Sequence, residues 1–300
     1  MTYVALLWAA EQTSHGMFPR VSAGHRADRI TAKREIGMYI YTTLGPFTDD
    51  IRQGAISSGR ELQQRVYEAG FDGIELSLGM LYEPTGQNLL ESIDFGNVTF
   101  HSDHNEFSLG SQNPYRRRAA VEQLGDEVAV CIDKRVPVLT FHPGYQGKRV
   151  SRHQAHASAI AALGEVIAAH TVALESGNVT LSIENMGASE DKLCRTPEEL
   201  EQVLAAHPAL SVTFDIAHCA YNQLDTGEFL DKLGERVRHV HVSGYRPGLP
   251  HKKVALYESE VDMRPIIQRL NRDGMIFCIE SSALEVACRS KAVLESLRDS

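Results

Sequence analysis

His101, His142, Glu184, Asp215, His241 and Glu280 share one place in the sequence pattern: each closes a short apolar, β-branched run. Glu75 stands near the end of another such run, and His218 lies three residues beyond Asp215. Mixed imidazole and carboxylate donors suit zinc or manganese, whereas calcium prefers oxygen alone. Taken singly, a strand-end histidine is more often a hydrogen-bonded structural residue, and a strand-end carboxylate more often caps the next helix. Gathered at one mouth, this many anionic and imidazole groups repel one another or stay unsatisfied unless a cation joins them. The pattern points to a divalent metal centre.

Something must bring these side chains together from across the chain. The runs lie at 38–43, 72–77, 97–102, 136–142, 178–184, 210–215, 237–243 and 275–280, each bounded by Gly, Pro, Asn or Asp as buried strands are. Helical patterns fall between them, at 60–70, 115–134 and 152–176, with a last one at 289–299. The segment RTPEEL carries a helix start, with Thr196 as N-cap, Pro197 at the first position and Glu199 as capping-box partner. Eight strands alternating with helices over about 260 residues fit an α/β chain folded as a single (β/α)8 TIM barrel. A doubly wound open sheet is the main rival, but no G-x-G-x-x-G or phosphate-binding loop follows the first strand. The C-terminal ends of barrel strands open onto the catalytic face, where the donor residues are expected to converge.

Composition narrows the class further. The chain has 300 residues, 43% apolar and 23% charged, with a formal net charge of −9. That is too apolar for disorder, and no apolar run approaches the roughly 20 residues of a membrane helix. A net negative chain is a poor default partner for nucleic acid. The five cysteines are scattered and never spaced C-x-x-C, which predicts reduced, mostly buried thiols in a cytoplasmic protein. Residues 1–35 are basic and aperiodic after a short apolar opening and read as an extension, leaving 36–300 for the barrel.

Other polar groups have weaker claims. His239 alternates in register with His241 and is expected one layer deeper, as a core histidine. His153, His156, His170 and His207 fall on helical patterns and are expected to be solvated. Tyr145 and Arg246 follow strand ends and are candidates for touching a substrate. Arg116, Arg117 and Arg118, with Lys252 and Lys253, follow catalytic-end strands and are candidates for phosphate recognition.

The motifs GFDGIELS (70–77), TFHPG (140–144), SIENMG (182–187), FDIAHC (214–219), VRHVHVS (237–243) and IES (279–281) resemble the xylose isomerase-like TIM barrels. That superfamily includes sugar isomerases and epimerases and the endonuclease IV group of DNA-repair enzymes. Resemblance to the epimerase branch implies that Glu184, Asp215, His241 and Glu280 bind one divalent ion of zinc, manganese, cobalt or magnesium. It further implies that Glu184 and Glu280 pass a proton between the two faces of a sugar, while His218 steadies a hydroxyl. His142, Arg246 and Tyr145 complete the expected substrate contacts. Resemblance to the endonuclease branch implies up to three zinc ions, with His101, His142, His218 and His251 as further ligands. This chain departs from that second pattern, because Leu249 stands where an aspartate ligand is expected. A metal-dependent sugar or sugar-phosphate isomerase or epimerase is therefore the leading expectation, and zinc-dependent cleavage at abasic DNA the alternative. The expected partner is a small carbohydrate, with nucleic acid less favoured, no membrane, and room for a homo-oligomer.

Overall fold

The computed structural model describes residues 37–102, 108–187, 189–250 and 254–298. The expected extension over 1–35, together with His251, Lys252 and Lys253, lies outside the described residues. Eight parallel strands close on themselves: β1 (Tyr39–Thr43), β2 (Gly73–Ser77), β3 (Val98–His101), β4 (Val138–Phe141), β5 (Thr180–Glu184), β6 (Ser211–Asp215), β7 (Val237–Val242) and β8 (Ile276–Ile279). Each pairs with its neighbours in sequence, and β8 returns to β1 through the register Tyr41↔Cys278. Every strand falls within the run that predicted it, so the single (β/α)8 barrel is the fold.

One helix crosses back after each strand: α1 (Gly59–Glu68), α2 (Pro84–Ser92), α3 (Pro114–Lys134), α4 (Arg152–Ala169), α5 (Pro197–Ala206), α6 (Thr226–Leu233), α7 (Arg264–Leu270) and α8 (Leu284–Arg298). Their starts follow local chemistry. Ser58 and Ser151 form reciprocal capping boxes with Glu61 and Gln154, and Asn113 caps α3 ahead of Pro114. Among the described residues no helix is long and apolar enough to cross a membrane.

Two expectations about helices need correction. The run 152–176 is not one helix: His170 leaves helical geometry and a short turn, Thr171–Glu175, follows it. The Thr171 hydroxyl donates to the Ile167 carbonyl at 3.0 Å, competing for an acceptor that the backbone of the same turn uses. At α5, Thr196 accepts from the Glu199 amide as expected, but the Glu199 carboxylate does not turn back as a capping-box partner. It takes the Arg152 guanidinium, with one contact at 2.7 Å, and the Arg195 amide at 2.9 Å. His156 Nε2 lies 3.4 Å from the same carboxylate and is buried, not solvated. His207 likewise uses Nε2 against the Ile160 carbonyl at 2.7 Å.

Side chains alternate across each strand. Leu139, Ile183, Phe214, Val240 and Phe277 join the apolar core with the helices. The intervening positions fill the barrel in tiers. Tyr41, Val138, Ile276 and Cys278 form a separate apolar floor. Gly73 makes room for it, since a Cβ there would fall 2.5 Å from the Tyr41 ring. Above the floor comes a buried hydroxyl tier in which Thr140 meets Thr213 at 2.9 Å and Thr213 donates to Ser182 at 2.8 Å. Two residues further along the strands the side chains become His142, Glu184 and Asp215.

Candidate metal centre

The period-two alternation that makes β4 to β8 apolar outside carries His142, Glu184, Asp215, His241 and Glu280 onto the inner face at the C-terminal mouth. Glu184, Asp215, His241 and Glu280 are all buried. Asp215 and Asn185 lock the ends of β5 and β6 together: Asn185 Oδ1 accepts from the Asp215 amide at 2.7 Å, and its Nδ2 donates to the Asp215 carbonyl at 2.9 Å. Asp215 also caps the short helix Ile216–Tyr221, with Oδ1 accepting from the His218 amide at 2.7 Å. One oxygen thus has the structural role of a cap while the other, Oδ2, lies 3.3 Å from His218 Nδ1.

Glu184 is the hub. Its Oε2 lies 2.8 Å from His142 Nε2 and 3.3 Å from His101 Nε2. Its Oε1 lies 3.2 Å from His218 Nδ1 and 3.4 Å from His241 Nδ1. His241 Nδ1 is in turn 3.8 Å from Glu280 Oε1. Donor atoms of Asp215, His241 and Glu280 lie within 4.8 Å of one another, as do those of Glu184, Asp215 and His218, and those of His101, Glu184 and His241. Around an ion with bonds of about 2.1 Å, tetrahedral donors sit roughly 3.4 Å apart. The spacings of 3.4 and 3.8 Å at His241 Nδ1 are long for charge-assisted hydrogen bonds and match two edges of such a shell. Three-residue groups drawn from this cluster are of the kind and spacing that can hold a divalent cation.

The electrostatics agree. Burial opposes ionisation of Glu184, yet His142 and His241, with hydrogen bonds from His101 and His142, hold its carboxyl well below the usual carboxylate range. Burial likewise opposes a charge on His241, but Glu75 and Glu184 raise it well above the usual imidazole value. His218, buried beside Asp215 and Glu184, is pushed up to about 9. Protonated imidazoles thus compensate a buried carboxylate cluster, the role a cation takes in a loaded site.

Not every expected site residue joins the cluster. Arg246 is exposed and faces Glu260 at 4.0 Å, so the structure does not bring it to the donors. Tyr145 is half-buried, donates its amide to the Ser108 hydroxyl oxygen at 2.9 Å, and lines a cavity of about 310 Å³ with Arg116, Lys148 and Arg149. None of the residues lining that cavity belongs to the donor groups. Arg118 pairs with Glu122 on its own helix. One contributor carried no role in the sequence reading: Asn185, whose signal was its place directly after Glu184; Glu75, expected with the strand-end donors, instead lies beside His239 and His241. His239 lies one layer deeper, fully buried, as its register with His241 requires.

Known proteins share this architecture. A D-tagatose 3-epimerase-like protein superposes with a TM-score of 0.69 at 20% identity, over 87% of this chain and 97% of that one. The D-psicose 3-epimerase of Clostridium cellulolyticum gives 0.63 at 14% identity, over 87% and 98%. A Thermus thermophilus protein soaked with zinc chloride gives 0.62 at 21% identity, over 87% and 98%. These identities speak to the fold alone. Among curated sequences, two uncharacterized proteins of Methanocaldococcus jannaschii match at 28% identity over 58% of this chain and at 24% over 66%. The chain spans 62% of the first relative's length and 69% of the second's. The family model described as xylose isomerase-like TIM barrel matches residues 63–299, from within α1 to just past α8, and on that span of barrel the chain belongs to this family.

Proposed function

We propose that the protein is a divalent-metal-dependent isomerase or epimerase of a sugar or sugar-like polyol, with Glu184 and Glu280 as the proton-transferring pair. The observation that carries this reading is that Glu184, Asp215, His241 and Glu280, at the ends of four consecutive strands, are buried together at the mouth, with donors of Asp215, His241 and Glu280 within 4.8 Å of one another and Glu184 Oε1 3.4 Å from His241 Nδ1. A divalent cation held there would polarise a substrate carbonyl and acidify the neighbouring C–H. Glu184, kept ionised by the imidazoles around it, is the general base for that proton, and Glu280 returns it from the other side. His218 holds its Nδ1 against the Asn185 carbonyl at 2.9 Å, which fixes the ring beside Glu184 and Asp215, where it would steady a substrate hydroxyl. The neighbours named as D-tagatose-like, D-psicose and L-ribulose 3-epimerases support a ketose-sized carbohydrate as the substrate class. The test is a panel of ketoses and their phosphates incubated with metal-loaded protein in deuterium oxide. Deuterium entering at the carbon beside the carbonyl, with the epimer or isomer formed, is the expected result. No exchange with any member of the panel counts against proton transfer.

One observation favours a second reading. His101 and His142 both lie against the same oxygen of Glu184, at 3.3 and 2.8 Å, and would be the residues to hold a second cation beside it. This supports clustered zinc and hydrolysis of a phosphodiester at an abasic site. The net charge of −9 and the exposed Leu249 in place of an aspartate weigh against it. Elemental analysis of chelator-free protein separates the two. About one divalent ion per chain supports the isomerase, and two or three zinc ions make abasic-duplex cleavage the next assay.

A further inference from the structure

Glu75 is a carboxylate inside the barrel, one tier below the mouth and only 3% exposed. Such a group is costly unless paired, and it is paired twice. His239 Nε2 lies 2.9 Å from its Oε2, while His241 Nε2 lies 3.1 Å from Oε1 and 3.4 Å from Oε2. The Thr99 hydroxyl donates to Oε2 at 3.4 Å. Both imidazoles are fully buried.

His241 is the one proposed ligand whose two nitrogens face different partners. Nδ1 looks up to Glu184 and Glu280, and Nε2 looks down to Glu75. A neutral imidazole carries its single proton on one nitrogen, and the other then offers the lone pair a metal needs. An acceptor fixed beside Nε2 puts the proton there and the lone pair on Nδ1. Among the described residues, Glu184 and Glu280 lie on the Nδ1 side, Asp215 shares a donor group with Glu280 and this ring, and two imidazoles flank it, His101 stacked at 5.7 Å and His239 at 5.1 Å.

We propose that Glu75 is a positioning residue for the metal centre: it holds the Nε2 proton of His241 so that Nδ1 is the ligating nitrogen, with His239 packed against the same carboxylate. The inference rests on the four-residue metal reading given above and adds the residue that decides its affinity. Outer partners of ligating histidines commonly contribute ten- to hundredfold in metal affinity.

The test uses the full chain, stripped with chelator and titrated with manganese or zinc by calorimetry, in wild-type, Glu75→Gln and Glu75→Leu forms. Gln keeps an acceptor oxygen and the side-chain shape, whereas Leu removes the acceptor. We expect about tenfold weaker binding for Gln and about a hundredfold for Leu. Nitrogen-15 spectra of the zinc-loaded wild type should show the His241 proton on Nε2, with that signature lost in the Leu variant. A purely structural Glu75 gives lower melting temperatures with metal affinity within twofold of wild type and the nitrogen signals unchanged, and that result overturns the proposal while leaving the metal centre intact. If wild type itself takes up no divalent ion, the four-residue reading falls and this inference with it. The Gln variant carries the test if the Leu variant does not fold.

Discussion

Glu184 meets four imidazoles, and its two oxygens face different pairs: His101 and His142 on Oε2, His218 and His241 on Oε1. A carboxylate so surrounded stays ionised and aimed, which is what a general base requires. Replacing it with Gln keeps the shape and removes the charge. Glu184→Gln and Glu280→Gln should each slow exchange of substrate hydrogen with solvent by about a hundredfold or more. Near-normal exchange in both variants rules out the paired-glutamate mechanism. These donors were legible in the sequence because a strand reports its faces by alternation: once β5 is recognised, Ser182 and Glu184 must share a side. The direction of Arg246 was not legible, for the complementary reason. It lies in a loop, where no period fixes direction, and its charge turns outward to Glu260.

The tie between α4 and α5 shows the same limit in a helix. RTPEEL announces a helix start, and Thr196 caps it, but the sequence does not say that Arg152 would arrive from α4 to claim Glu199. Long-range ion pairs leave no local signature. Nor does the break at His170, which depends on where the Thr171 hydroxyl finds an acceptor. Thr196→Ala should lower stability by about 1 kcal/mol, measured by urea unfolding. Glu199 is held far below its ordinary value, since Arg152, His156 and the Arg195 amide outweigh the effect of burial. Its stabilising contribution is therefore complete above the unfolded carboxyl value of about 4.3 and is lost as pH falls below it. The melting-temperature gap between wild type and Glu199→Gln should be widest near neutral pH and shrink below about pH 4. A gap independent of pH would mean that the Glu199 charge has no part in holding the two helices.

Closure makes the barrel and the site one object. The eight strands were readable one by one, yet nothing in their periodicity distinguishes a closed sheet from an open one; the β8–β1 pairing does. A cation bound only by the folded chain must stabilise it, by about 2.7 kcal/mol at a hundredfold excess over Kd. Manganese or zinc added to chelator-stripped protein should raise the melting temperature by roughly 5–10 °C. No rise would mean that the four carboxylate and imidazole groups do not act together as a metal centre.

Glu280 sits at the end of the strand that completes the ring, and Glu184, Asp215 and His241 precede it by 96, 65 and 39 residues. During synthesis Tyr39 to Thr43 emerge before every other strand of the ring and must wait for their partners in β8, the last strand to be made. The ring can close only once all eight strands are present. A chain cut short before residue 276 lacks both Glu280 and the strand that closes the ring. If Glu184, Asp215, His241 and Glu280 act together on a cation, its capture would follow closure of the ring, because without β8 the chain offers three of the four groups.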